Sequence, residues 1–103
     1  MPRAIKREAA KRDLTQHFAT LAEHASLAVA RRFKGAAQST FIEISKMPEI
    51  GTPGKVRRGK FAGIRLWPVR GFERYLIAYH ALEDGVLIER VFHSSQDYRR
   101  VLK

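Results

Sequence analysis

A run of breakers, Pro48-Glu49-Ile50-Gly51-Thr52-Pro53-Gly54, divides this chain into two halves that follow different periods. Proline cannot continue a helix and glycine favours its end, so no regular element can cross that segment. Before it, apolar residues recur every three or four positions. After it, they gather in short β-branched and aromatic runs.

Upstream, the spacing predicts a helix over 8–24 with Ala10, Leu14, Phe18, Leu21 and Ala25 along one face and the charges Lys11, Arg12, Asp13 and Glu23 mostly elsewhere. Ser26 can cap a second helix, in which Ala30, Phe33, Ala37, Phe41, Ile44 and Met47 repeat the same spacing until Pro48. Helices separated by only a residue or two must pack antiparallel as a hairpin. Residues 3–6 suit a short strand. Beyond the basic connector Lys55-Val56-Arg57-Arg58-Gly59-Lys60, the stretches 64–69, 74–82 and 86–93 read as strands. Glu83-Asp84-Gly85 reads as a hairpin turn, and 98–102 as a last helical turn. Helices followed by antiparallel strands make an α+β fold, a helical hairpin packed on a small antiparallel sheet. The 103 residues suit a single domain over 1–103, large enough to bury a core without disulfide or metal staples.

The net charge of +10 is unevenly placed. Residues 1–34 carry 8 basic and 3 acidic groups, and 55–74 carry 7 and 1, whereas 75–103 carry 4 of each. Such an excess points to a polyanionic or acidic partner, against the plainer reading of a solvated, solubilising surface. With no cysteine, disulfides and thiolate zinc sites are excluded. His17, His24 and His80 lack ligand spacing, so neither a metal nor a cofactor is expected. The N-terminus has charge but no apolar stretch behind it, and no apolar run approaches the ~18 residues that span a bilayer. A cytoplasmic protein without membrane contact is therefore expected.

A regular turn at Asp84-Gly85 would set Leu76 opposite His93, and a symmetric turn between 68 and 73 would set Arg65 opposite Leu76 and Trp67 opposite Arg74. One sheet face would then carry Leu66, Tyr75, Ile77, Tyr79, Ile88 and Phe92 against the helices. The other would gather Arg65, Trp67, Arg74 and His93 into a basic-aromatic patch.

The run from Ile64 to Tyr79 sets an arginine-bearing strand, a glycine-aromatic turn and a Tyr-Leu-Ile-x-Tyr strand in succession. The run from Asp84 to Asp97 adds a closing strand with a His-x-x-x-Asp ending. Upstream stand Ala9-Ala10-Lys11-Arg12-Asp13-Leu14 and Met47-Pro48-Glu49-Ile50-Gly51. This order resembles the RelE/ParE superfamily of bacterial type II toxins over nearly the whole chain. The resemblance implies a toxin held inactive in a hetero-oligomeric complex by a cognate antitoxin and serving plasmid or chromosomal stability. In ParE-like members the target is DNA gyrase; in RelE-like members the toxin is a ribosome-dependent mRNA endoribonuclease.

RNA cleavage needs a base, an acid and cations for the phosphorane charge, and Arg65, Arg74, His93 and Tyr98 are the catalytic candidates. RelE-like nucleases carry a denser set of cations in the strands, whereas 75–93 contains only Arg90, which favours the ParE branch and action by binding. The plainer reading of His93 is a strand-end histidine bonded to nearby backbone. Target contacts are expected at Arg65, Trp67, Arg74, His93 and Arg99. Antitoxin contacts are expected at Phe18, Leu21, Ala22 and Ala36 on the hairpin and at Arg57 and Arg58 in the connector. Direct nucleic-acid contact, by a basic nucleic-acid-binding module, remains the third reading.

Overall fold

Both long helices form where the apolar period runs. In the computed structural model, which describes residues 2–102, α1 covers Glu8–His24 and α2 covers Leu27–Lys46; Met1 and Lys103, the ends of the domain drawn over 1–103, lie outside the described residues. The Ser26 hydroxyl accepts the Val29 N–H at 3.1 Å, satisfying one of the donors that the first turn of α2 leaves unpaired. Ala30, Phe33, Ala37, Phe41 and Ile44 are buried as the period predicts. Met47, beyond the last turn, is 54 % exposed. On α1 only Ala10 is fully buried, while Leu14, Phe18 and Leu21 are half-covered and Ala25 is exposed. The first helix is thus a peripheral one with much of its apolar stripe near the surface.

Five strands make one sheet, β1 (Arg3–Lys6), β2 (Thr52–Pro53), β3 (Arg65–Val69), β4 (Phe72–Leu82) and β5 (Gly85–His93), in the order β1-β5-β4-β3-β2. A short helix α3 (Tyr98–Val101) follows. The sheet is antiparallel except at one edge, where β1 lies parallel to β5; β1 continues into the helical hairpin, and a connection that long permits parallel pairing. Gly85, at φ +149°, admits β1 at this corner, because a Cβ there would lie 1.9 Å from the Arg3 carbonyl oxygen.

The predicted registers are corrected at both hairpins. Leu82 pairs with Gly85, so the turn residues are Glu83 and Asp84, and Gly85 belongs to the strand. An irregularity at Glu89 then sets His93 opposite Tyr75 in place of Leu76. Between β3 and β4, Val69 faces Phe72 as a symmetric turn requires, but Pro68 already faces Leu76 because Glu73, Arg74 and Tyr75 bulge out. Arg65 therefore pairs with Tyr79 and Trp67 with Ile77. Slips by an odd number exchange faces. Trp67 and Val91 join the helix side, whereas Leu66 and Phe92 move to the far side.

The sheet thus separates two cores. Between it and the hairpin lie Phe33, Phe41, Ile44, Ile77, Tyr79 and Ile88, with Trp67 and Tyr75 packed against them. On the far face, Phe61 and Ile64 of the connector and Leu102 beyond α3 close over Ala78 and Phe92. At the open edge, Gly54 N–H donates to the Ile64 carbonyl at 2.7 Å, so by the two-residue alternation Pro68 also faces outward. Lacking an N–H, it blunts that edge against pairing with another chain.

Candidate functional site

β1 accompanies β5 only as far as Ile88, and beyond that point the side chains of α1 satisfy the strand edge. Asp13 accepts the Val91 N–H at 2.9 Å, and His17, one turn later, donates from Nε2 to the Val91 carbonyl at 2.8 Å. A carbonyl only accepts, so the proton sits on Nε2. Asp13 also receives Arg90 Nε and Nη2 at 2.7 and 2.9 Å, and Arg90 Nη1 donates to the Val101 carbonyl at 3.0 Å. The hydrogen bonds to Asp13 raise the Arg90 pKa above its ordinary value, so this guanidinium stays charged. One ion pair thereby joins α1, β5 and α3, and Arg90 is committed to structure.

His17 stacks edge-on against Tyr75 with centroids 5.0 Å apart, and Tyr75 contacts Phe33 at 4.7 Å and His93 at 5.0 Å. Burial pushes the Tyr75 phenol up. At the end of this cluster, His93 Nδ1 accepts the Ser95 N–H at 3.1 Å and lies 2.7 Å from the Ser95 hydroxyl, while the His93 backbone N–H donates to the Gln96 amide oxygen at 2.9 Å. A backbone N–H can only donate, so Nδ1 is unprotonated in this arrangement. His93 organises the turn into α3.

At the other end of the sheet, the Tyr79 hydroxyl donates to the Pro48 carbonyl and accepts the Gly51 N–H, both at 2.8 Å. Arg65 Nη1 donates to the Gly51 carbonyl at 2.8 Å. A Cβ at Gly51 would lie 2.5 Å from that hydroxyl, so the breaker segment needs glycine there. Burial raises the Tyr79 pKa, outweighing the Gly51 hydrogen bond and the Arg65 charge, which lower it.

The expected patch is therefore split. Arg65 clamps the loop after α2 and Trp67 packs in the helix-side core. Arg74, exposed on the bulge, stays beside the His93 end of β5, since its carbonyl accepts the Ser94 N–H at 2.6 Å. His93, paired with Tyr75, stands four residues along β4 from Arg65's partner Tyr79, about 13 Å at the strand rise. Tyr98 packs against the far-side core, and Arg99 lines a groove on that side. Of the hairpin candidates, Phe18 lines a groove of about 250 Å³ between α1 and α2, together with Leu14, Phe33 and Ala37. Leu21 and Ala22 follow one turn along α1, whereas Ala36 lies on the other flank of α2 beside Arg70. Arg57 and Arg58 are on the far side of the sheet, beside Arg99.

Sequence reasoning missed Lys34 and Gln38, which form the polar rim of the hairpin groove, and Asp13, a carboxylate on a helix flank that faces the sheet. A sign of the latter was available in the i, i+4 pair of polar residues Asp13 and His17 beside the apolar stripe. Among the described residues no group of three or more histidines and carboxylates could hold a metal, and no helix is long and apolar enough to cross a membrane.

A helical hairpin over one face of a five-stranded sheet, with an apolar groove between the helices, makes this a small basic α+β protein. The sequence model described as ParE toxin of type II toxin-antitoxin system, parDE, matches residues 5–98, and the chain belongs to that family. Among solved structures it is similar to the chromosomal ParDE TA system from P. aeruginosa, with a TM-score of 0.74 and 13 % identity over 90 % of this chain and 96 % of that one. At that identity the likeness is one of fold. No curated protein matches the sequence.

Proposed function

We propose that this chain is the toxin of a type II toxin-antitoxin pair, that it inhibits DNA gyrase by binding, and that a ParD-like antitoxin neutralises it in the cytoplasm. The observation that carries the reading is the family match over 5–98. The hairpin groove supports the antitoxin part: its walls are largely apolar, Lys34 sits at its rim, and it spans about one turn of each helix, room for an apolar anchor of an amphipathic segment. An acidic antitoxin would also be drawn in by the surrounding positive charge.

Action by binding is supported by the fates of the residues that RNA cleavage would need. Arg65 donates to backbone carbonyls about 13 Å along the sheet from His93, and His93, although Arg74 adjoins it, holds its own turn. General acid-base catalysis requires such groups within hydrogen-bond reach of one reacting centre.

The test is induced expression in a bacterial host, alone and with the product of the adjacent reading frame. Growth arrest relieved by the neighbour, with co-purification of the two proteins, is the expected result. Growth unaffected by the chain alone would overturn the reading.

A further inference from the structure

The connector after Gly54 crosses the sheet on the side opposite the hairpin, held down by Val56, Phe61 and Ile64. Between these anchors its cations turn outward. Lys55, Arg57 and Arg58 meet Arg99, more than forty residues later in the chain, across a groove of about 520 Å³. Among the described residues no carboxylate lines the groove and none of the four cations is in an ion pair. The nearest acid in sequence, Asp97, accepts the Arg99 backbone N–H.

Four like charges facing one hollow repel each other unless an anion is present, and three of them are guanidiniums, whose planar forks suit phosphate oxygens. A protein partner would need well-exposed apolar anchor points, but Leu102 is 6 % exposed and Val56 and Tyr98 are half-buried against the far-side core. A single nucleic-acid strand would need exposed aromatic faces for its bases. Tyr98 is half-buried against the far-side core and offers no fully exposed ring face, and Trp67 and Phe72 belong to the other side of the sheet. A phosphodiester backbone presented by a duplex needs neither.

We propose that this groove binds the backbone of duplex DNA without regard to sequence, on a surface separate from the hairpin groove, so that DNA and a hairpin ligand can be held together. The inference goes beyond the gyrase reading and does not depend on it, since its test contains no gyrase.

The test is fluorescence anisotropy of a labelled short DNA duplex titrated with the full chain at several salt concentrations. Four phosphate contacts give a slope of log affinity against log salt of about −3.6, so binding should weaken about 150-fold between roughly 50 and 200 mM salt. The R57A/R58A variant, which removes only exposed side chains, should bring the slope to about −1.8 with the circular dichroism spectrum unchanged. R31A/R32A, which removes two exposed cations from α2, is expected to retain the wild-type slope. Equal losses from both pairs would show a general effect of net charge and overturn the proposal. So would tighter binding to single-stranded DNA, duplex RNA or polyglutamate than to the DNA duplex, or no binding at all.

Discussion

Replacing Asp13 with alanine should destabilise the protein more than any other change to a single charged residue. The carboxylate holds Arg90 through two bonds and the Val91 N–H through a third, and the Asp13 and Arg90 side chains are only 13 % and 28 % exposed. Removing one member of a buried pair costs about 3–5 kcal/mol, but the partial exposure of Arg90 and its remaining bond to the Val101 carbonyl reduce that. An orphaned buried N–H adds about 1–3 kcal/mol. A total of roughly 3 kcal/mol follows, which in a domain of this size lowers Tm by more than about 10 °C. D13N keeps the shape and an acceptor but loses the charge, and should cost about 1–2 kcal/mol. Urea unfolding followed by the fluorescence of Trp67, the one tryptophan, reads these differences. Amide exchange at Val91 should accelerate in D13A beyond the global loss, because the edge of β5 opens there first. If D13A lies within about 0.5 kcal/mol of wild type, as an ordinary surface substitution would, the idea that α1 side chains complete the β5 edge is wrong.

Stability should fall as the pH rises past about 10, because burial holds the Tyr79 and Tyr75 phenols above the ordinary tyrosine range while the unfolded chain ionises there. Tyr79→Phe should remove part of that alkaline loss and cost about 1–3 kcal/mol at neutral pH; denaturation midpoints across the range check both. Phe18→Glu, in the hairpin groove, is expected to weaken antitoxin binding by about 2 kcal/mol, near 30-fold, while changing stability by less than about 1 kcal/mol. Calorimetric titration of the antitoxin measures it, and unchanged affinity would remove that groove from the interface. His93→Ala should cost roughly 1 kcal/mol and leave toxicity intact, whereas loss of toxicity with an unchanged fold would revive the nuclease reading. Without its partner the chain should self-associate through the open stripe of α1, and a monodisperse sample at high concentration in sedimentation would contradict this.

The helices were legible because their signals are local: a 3.6-residue period, the Ser26 cap and the stop at Pro48 all act within a turn or two. The order of elements, and with it the α+β class, followed from the same signals. Register was not legible, since it depends on the irregularities at Glu89 and at Glu73–Tyr75, where no residue announces an insertion. Gly85 misled for a physical reason: it reads as a turn glycine, but its small size is needed where β1 approaches. The site divided in the same way. The plainer reading of His93 could be anticipated because Ser95 and Gln96 are within three positions, whereas Arg65 gave no hint that its partners are the carbonyls of a distant loop. The cations at 55–58 and Arg99 meet only through the closure of the far-side core, a contact between segments that share no period.

The claim that this toxin acts by binding is tested most directly with purified gyrase, relaxed plasmid and ATP. Added chain should suppress supercoiling and accumulate cleaved DNA trapped on the enzyme, equally with wild type and His93→Ala, and stoichiometric antitoxin should reverse the effect. Gyrase that supercoils normally in excess toxin, while ribosome-bound mRNA is cut by the same preparation, would contradict the account.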